Sequence, residues 1–231
     1  MSGYGTIFKV SSGGSFFPLC GFDDTTGSTP QVTPFQHTNG VVYGDTEFGG
    51  SGNVSPCTAE ACGVFYGWSA TSLKPFVTLL PYSGKVGATI EFLGQHFKST
   101  STVSFNGTPA PGAKGVTGTY LTATVPNGAI TGPVTVTTSS GTLKSNKIFR
   151  VIPQITSFSP TSSSVGTVVT IKGVSLTQTT NGHLWGVKAI SKTAVNDTTV
   201  TATVPTGAKT GKIAITTPGG RAVSSGVFTV T

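Results

Sequence analysis

The chain has 231 residues, which is enough for two or three domains that each bury a core. Hydrophobic residues make up 36% and charged residues 9% of it, against a usual charged share of roughly a quarter. The alternation of Val, Ile, Thr and Phe excludes a disordered chain, and no run approaches the roughly 18 apolar residues of a membrane helix.

Residues 1–74 start in strand-like sequence, Gly5–Val10, without the basic and apolar regions of a secretory signal peptide. The same strand type returns at Gly63–Ser69, after an NGxxYGxT motif that begins at Asn39. This order of motifs resembles the GloVer-type tandem repeats of large surface proteins from soil bacteria. The resemblance implies a partial β repeat, similar to a propeller blade. One such unit cannot bury both of its faces, so we expect the chain to be a piece of a longer exported protein.

The three cysteines, Cys20, Cys57 and Cys62, all lie in this segment. Cys57 and Cys62 flank a short loop before a strand, where an exported protein would form a disulfide. Zinc would need about four ligands, and no second Cys or His pair accompanies them. We therefore predict a Cys57–Cys62 disulfide and an unpaired Cys20.

From residue 75 onward the sequence contains one pattern twice, 79 residues apart. Ala123–Gly128 returns as Ala202–Gly207, and Pro81, Gly94 and Phe149 return as Pro160, Gly173 and Phe228. A period of this length that occurs twice fits two small all-β domains rather than a solenoid. Within the second copy, Val168, Thr170 and Lys172 alternate with Val169 and Ile171, which predicts a half-buried strand.

The motifs of both copies resemble those of the IPT/TIG family. In the second copy they are Pro153–Pro160, Val165–Gly173, Val200–Gly207, Thr210–Gly220 and Val227–Val230. In the first they are Leu80-Pro81, Val86–Gly94, Val103–Gly107, Leu121–Pro126 and Thr131–Val136. The resemblance implies immunoglobulin-like β-sandwiches. We thus predict an all-β chain with a blade-like repeat at 1–74 and sandwiches at 75–152 and 153–231.

No catalytic, cofactor or metal motif is found in the sequence. His37, His96 and His183 are isolated, and neither a nucleophile elbow nor a phosphate-binding loop occurs. Asp23 and Asp24 offer loop carboxylates to Ca²⁺ but lack the EF-hand spacing. We expect a protein without cofactor and without enzymatic activity, the alternative being the accessory part of a secreted hydrolase.

Aromatic residues are the best binding candidates: Tyr43, Tyr66 and Trp68 in the N-terminal segment and Trp185 in the second sandwich. Exposed rings on a sheet stack on sugars, although core packing is the commoner fate of large aromatics. Residues 75–231 carry a net charge of +10, from twelve Lys and Arg against two acids. Such a charge could attract nucleic acid. However, the lysines are scattered and only two arginines occur there, so we do not expect nucleic-acid binding.

The sequence therefore favours an extracellular or cell-surface structural or adhesive module, with the sandwiches as spacer or stalk. A carbohydrate-binding accessory region of a larger secreted enzyme is the alternative. The expected partner is a polysaccharide, a cell-wall polymer or another surface protein, and no membrane span is expected.

Overall fold

A computed structural model of the chain describes residues 3–50, 62–69, 73–184, 187–188 and 192–231, and all regular structure in these ranges is β. The prediction of an all-β chain is thereby confirmed. Over the same residues, no helix is long and apolar enough to cross a membrane. The chain forms two compact units, Met1–Lys74 and Pro75–Thr231.

The described residues of the first unit form one hairpin and one small sheet, both antiparallel. The five strands in these residues are β1 (Thr6–Val10), β2 (Phe16–Gly21), β3 (Phe35–Gln36), β4 (Val41–Asp45) and β5 (Phe65–Ser69). The hairpin pairs β1 with β2, and the sheet has the order β3-β4-β5. Ile7, Phe22 and Val42 are buried in this unit, whereas Phe8 and Phe16 are more than half exposed. The described part of this unit therefore has a small apolar core.

The first sandwich follows in nine strands. They are β6 (Val77–Leu80), β7 (Ser83–Gly84), β8 (Thr89–Gly94), β9 (Thr102–Phe105), β10 (Thr108–Pro109), β11 (Tyr120–Thr124), β12 (Val134–Thr138), β13 (Gly141–Lys144) and β14 (Arg150–Val151). One sheet has the order β11-β8-β6 and the other β10-β9-β12-β13. β14 returns to pair in parallel with β7, so the end of the domain lies beside its beginning.

The second sandwich repeats this plan. Its strands are β15 (Gln154–Ser159), β16 (Ser162–Ser163), β17 (Val168–Val174), β18 (Asn181–Leu184), β19 (Val187–Lys188), β20 (Lys192–Asn196), β21 (Thr199–Thr203), β22 (Gly211–Thr217) and β23 (Gly220–Val230). The sheets have the orders β15-β17-β21-β20 and β16-β23-β22-β18-β19. In β17, Val169 and Ile171 are buried and Val168 is 54% exposed, as the alternation predicts.

The 79-residue repeat of the sequence is also a repeat of interactions. Ser145 Oγ accepts a hydrogen bond from the Val134 amide at 3.0 Å and donates one to the Lys147 carbonyl at 2.7 Å. Ser224, 79 positions later, accepts from the Ile213 amide at 3.0 Å and donates to the Gly226 carbonyl at 2.7 Å. Both serines are buried, where an unpaired hydroxyl would be costly. The repeat therefore preserves the hydrogen bonds that allow a polar residue inside each sandwich.

Each sandwich has its own apolar core. In the first, Phe92, Phe105 and Phe149 are almost wholly buried, and their rings meet edge to face at 6.2 Å and 5.1 Å. In the second, Ile171, Ile213 and Phe228 lie inside, and Phe158 packs against Phe228 at 6.3 Å. Fully burying one such side chain stabilises a fold by roughly 1.5–3 kcal/mol.

The two sandwiches meet at a joint built around Thr131. Gln178, in the loop after β17, accepts from the Thr131 amide at 2.7 Å and donates to the Thr131 carbonyl at 3.2 Å. The Thr131 hydroxyl accepts from the Val151 amide at 3.0 Å. Gly219, in the turn between β22 and β23, packs on the Val151 carbonyl so closely that a Cβ there would overlap it. This joint fixes the second sandwich against the first.

We predict that Gly219→Ala destabilises the unit 75–231 by roughly 1–3 kcal/mol, because the added methyl group meets backbone that cannot rotate away. Thermal and denaturant unfolding of the full chain measure the change. Ser140 occupies the corresponding turn of the first sandwich and is exposed, so that turn accepts a side chain. Gly112→Ala, where a Cβ would meet nothing within 4 Å, is the control, and equal losses in both variants would contradict the joint.

Candidate functional site

The aromatic residues of the first unit lie on both faces of the sheet β3-β4-β5. In an antiparallel pair, residues directly opposite each other point to the same face. Tyr43 is opposite Gly67 and Phe35, whereas Val42 is opposite Trp68 and Gly44 opposite Tyr66. We call the face that bears Tyr43 the outer face and the face that bears Tyr66 and Trp68 the inner face.

Three rings follow one another across the outer face. The centroids of Phe35 and Tyr43 are 6.0 Å apart, and those of Tyr43 and Phe65 are 5.6 Å apart with only 9° between the ring planes. Phe35 is 55% and Phe65 71% exposed, which is unusual for side chains this apolar. We call Phe35, Tyr43 and Phe65 the aromatic row. It leaves apolar ring surface exposed to solvent on neighbouring strands of one sheet.

The position of Tyr43 in the row is set by its neighbours. Gly67 lies under the ring, where a Cβ would be 3.0 Å from Tyr43 Cε1. Asn39 donates from Nδ2 to the Tyr43 hydroxyl at 2.9 Å, and its Oδ1 accepts from the Val41 amide at 2.9 Å. His37 meets the Tyr43 ring edge to face at 5.9 Å. The turn before β4 thus holds the central ring of the row.

On the inner face, Tyr66 lies across Gly44, which leaves room for the phenol because it has no side chain. The Tyr66 ring is 5.0 Å from that of Phe22. Its hydroxyl is buried and has no hydrogen-bond partner within the part of the chain that the structure describes. Burial raises the pKa of Tyr66 above its ordinary value, and the nearby Asp45 and Cys20 add to the rise.

Tyr66 lines one open cavity of the first unit, of about 420 Å³, and Trp68 lines another, of about 320 Å³. Ile7, Phe8 and Pro34 line both cavities. The two cavities therefore adjoin as one apolar cleft between the β1–β2 hairpin and the inner face. Tyr66 and Trp68 are both half-buried there.

The structure separates the aromatic candidates named from the sequence. Tyr66 and Trp68 share a face, and Tyr43 lies on the other, while Trp185 lies outside the described residues. Their roles in binding stay predictions. Phe35 and Phe65 were not among the residues predicted from the sequence to bind. Phe65 stands one residue before Tyr66. Because side chains alternate along a strand, Phe65 points to the other face of the sheet from Tyr66, and this alternation could have predicted its position on the outer face.

The cysteines are described in part. Cys62 is disulfide-bonded, and Cys20 is a free, partly exposed thiol. Cys57 lies outside the described residues, so its pairing with Cys62 stays a prediction.

Asp23 closes a tight turn. Its Oδ1 accepts hydrogen bonds from the amides and hydroxyls of Thr25 and Thr26 at 2.8–3.0 Å. These donors, the Thr25 hydroxyl first, lower the Asp23 pKa from 3.8 to about 2. Asp23 therefore contributes to the turn above pH 4 and loses that contribution as the pH falls toward 2. Among the described residues, no three His, Cys, Asp or Glu side chains are grouped to hold a metal ion.

The repeat, the two cores and the joint define a tandem pair of immunoglobulin-like sandwiches. A family model described as the IPT/TIG domain matches residues 75–150 and 153–230, more than half of the chain. The chain therefore belongs to the IPT/TIG family. The matches begin at residue 75, so the resemblance of residues 1–74 to GloVer-type repeats stays a prediction.

Several solved structures resemble the chain, and no curated protein matches it. The surface glycan-binding protein PbSGBP-B from Prevotella bryantii is 20% identical, with 68% of this chain and 42% of that chain covered and a TM-score of 0.46. SGBP-B from a xyloglucan utilization locus in Bacteroides uniformis is 20% identical, with 68% and 50% covered and a TM-score of 0.32. The chain thus spans half or less of the length of these proteins. With TM-scores below 0.5, the similarities assign no function.

We predict that Tyr66→Phe leaves the first unit as stable as before or raises its free energy of unfolding by up to about 1 kcal/mol, because it removes a buried hydroxyl that lacks a partner among the described residues. Chemical denaturation measures the change, followed by tryptophan fluorescence in a Trp185→Phe background so that Trp68 is the one reporter. Tyr43→Phe is the matched control. It removes a hydroxyl that accepts from Asn39, so it should destabilise the unit slightly. The reverse order of the two variants would contradict this account of Tyr66.

Proposed function

We propose that the chain is a non-enzymatic extracellular or cell-surface module in which the two IPT/TIG domains serve as a stiff spacer. The observation that carries this proposal is the joint at Thr131. Two domains connected by a flexible linker move independently, whereas Gln178 binds both backbone groups of Thr131 and Gly219 packs on Val151. A spacer works by holding a fixed length and angle, and this joint is suited to that task.

The absence of enzymatic activity belongs to the same proposal. The chain has seven acidic residues, of which residues 75–231 contain two, Glu91 and Asp197. Asp197 accepts from the Thr177 hydroxyl at 3.0 Å and so contributes to a loop. His37 packs on Tyr43, and His96 is exposed with a positive φ of 62°. Asp197 and His37 thus take part in structural contacts, which supports a binding or spacing role over catalysis.

We predict one narrow distance distribution between spin labels placed at Thr142 and Val195 of the full chain, since both sites are exposed and lie in different sandwiches. Double electron–electron resonance, with labels that do not use cysteine chemistry, measures it. Gln178→Ala should broaden the distribution because it removes both hydrogen bonds to Thr131.

The control is Ser99→Ala, which changes the position that corresponds to Gln178 in the first sandwich. Ser99 is exposed, and its replacement should leave the distance distribution as it is. A broad distribution in the unmodified chain would mean that the sandwiches move independently. That result would overturn the spacer proposal and leave the binding role of residues 1–74 untouched.

A second candidate function, carbohydrate binding, is favoured by the aromatic row. Exposed rings on a sheet offer apolar surface to the C–H groups of sugar rings. The central ring is held in place by Asn39 and Gly67, so little conformational freedom is lost when a ligand binds. Residues 1–74 carry a net charge of −3, and Asp45 lies directly opposite Phe65. This charge favours neutral sugars over anionic ones.

We predict that the full chain binds a neutral glucan and that Tyr43→Ala and Phe65→Ala each weaken the binding about tenfold, the effect of losing roughly 1.4 kcal/mol of ring contact. Affinity electrophoresis in a soluble β-glucan and pull-down on cellulose, at low and moderate salt, measure the binding. Phe17→Ala is the control, because Phe17 is an exposed ring on the β1–β2 hairpin and not part of the aromatic row. Equal effects of all three variants would count against the aromatic row as the binding site.

A further inference from the structure

The first IPT/TIG domain has an open groove of about 490 Å³ at its β7–β14 ladder. Tyr82, Ser83, Lys147, Ile148 and Arg150 line it. The groove lies in the unit 75–231 and shares no residue with the aromatic row or the apolar cleft of residues 1–74. Nothing in the spacer function requires it.

Backbone pairing places the two ends of the groove next to each other. The Arg150 amide donates to the Tyr82 carbonyl at 2.9 Å, and Arg150 stands in parallel register with Ser83. The Tyr82 hydroxyl lies 3.0 Å from Thr78 Oγ1, which fixes the direction of the ring. The backbones of Arg150 and Tyr82 are thus held next to each other by this ladder.

Lys147 completes the groove from the loop before β14. Its Nζ lies 4.8 Å from the centroid of the Tyr82 ring, a cation–π distance. The buried Ser145 hydroxyl donates to the Lys147 carbonyl at 2.7 Å and so holds the backbone of this residue. The Lys147 ammonium therefore lies over the Tyr82 ring. Arg150, three positions later, lines the same groove, and both Lys147 and Arg150 are exposed.

Comparison of the two sandwiches separates the groove from the scaffold. At an offset of 79 residues, Ser145 and Phe149 recur as Ser224 and Phe228, in the same surroundings. The parallel ladder also recurs, with Thr229 in register with Ser162. Ser83 recurs as Ser162, but the ring and the two cations of the groove do not recur. Thr161, Gly226 and Thr229 stand at the positions that correspond to Tyr82, Lys147 and Arg150. The fold is therefore formed without this combination of one ring and two cations.

We propose that this groove binds a carboxylate-bearing sugar residue of an acidic polysaccharide. Arginine donates two parallel hydrogen bonds to a carboxylate, and the neighbouring ammonium adds charge. The exposed part of the Tyr82 ring and the Ile148 side chain offer apolar contact to the sugar ring. Residues 75–231 hold only two carboxylates against twelve Lys and Arg, so the cations are available to an external anion.

An acidic polysaccharide suits the groove better than a nucleic acid does. Single-stranded nucleic acids need cations that follow the backbone over several nucleotides and free ring faces for successive bases. This groove has one ring, and the ammonium of Lys147 lies over one of its faces. The site goes beyond the proposed neutral-sugar site, from which it differs in position and in the charge of its ligand.

The test is isothermal titration calorimetry of the full chain with an oligogalacturonate at about 150 mM salt, where diffuse surface electrostatics are screened. The same oligosaccharide as its methyl ester, which lacks the charge, is the matched ligand control. We expect binding of the acid and at least tenfold weaker binding of the ester. Arg150→Gln and Lys147→Gln should each weaken binding of the acid about tenfold, which is the loss of one charge-assisted contact.

Arg221→Gln is the matched control variant, because it removes the same charge from an exposed position of the second sandwich. Its affinity for the acid should equal that of the unmodified chain. Tyr82→Phe keeps the ring but loses the contact with Thr78, so it should weaken binding less than Tyr82→Ala does. Tyr82→Ala should bind weakly while retaining the circular dichroism of the fold. Arg150→Lys keeps the charge but loses the paired hydrogen bonds, so intermediate binding is expected.

Three results would overturn the proposal. The first is an equal loss of affinity for the acid in Arg150→Gln and Arg221→Gln, which would indicate diffuse electrostatic attraction. The second is equal affinity of the chain for the acid and its ester. The third is tighter binding of single-stranded DNA than of the acid, with the same dependence on Lys147 and Arg150. Binding of neutral glucan through the aromatic row is measured separately. Its success or failure leaves the conclusion about the groove unchanged.

Discussion

The short parallel ladder between β7 and β14 is the interaction on which the arrangement of the first sandwich depends. It returns the last residues of the domain to its first, and so closes the core over Phe149. The same ladder positions Arg150 beside Tyr82. One residue further, it presents Val151, whose amide binds Thr131 and whose carbonyl meets Gly219. Core closure, groove and joint therefore share one pair of strands.

The sequence predicts the scaffold well because the scaffold is periodic. Buried side chains alternate along a strand, so Val169 and Ile171 predict the buried face of β17 even when the residues that pack against them are unknown. The turn residues and the offset of 79 then repeat the same local requirements in both sandwiches. These signals are local, and local signals can be read from one chain.

The joint and the candidate sites are harder to predict, because they depend on residues that meet across long distances in sequence. Gln178 is an ordinary loop residue until folding brings it to Thr131, 47 positions earlier. Tyr43, Tyr66 and Trp68 are close in sequence, yet strand pairing divides them between two faces. Phe35 and Phe65 meet Tyr43 through register that the sequence does not determine. Strand alternation can predict that some of these rings are exposed. It cannot predict that Phe35, Tyr43 and Phe65 lie next to one another.

The first unit and the sandwiches also differ in how they use aromatic residues. In the first sandwich Phe92, Phe105 and Phe149 supply the core. In residues 1–74 the exposed phenylalanines leave apolar surface in contact with water, which costs stability unless a ligand or a neighbouring unit covers it. The binding role proposed for the aromatic row would account for this arrangement.

The hydroxyl that anchors the joint has a counterpart at the other end of the pair. Thr210 stands 79 positions after Thr131, and its hydroxyl accepts from the Val230 amide at 3.1 Å, as Thr131 does from Val151. The first sandwich, in contrast, has Ser99 and Ser140 where the second has Gln178 and Gly219. The coupling is therefore directional. The second sandwich has both the glutamine and glycine that bind a preceding domain and a threonine like Thr131, whereas the first sandwich has the threonine alone. Such a design can be extended in one direction by any further domain with a matching glutamine and glycine, with each new domain held at the same angle as the last.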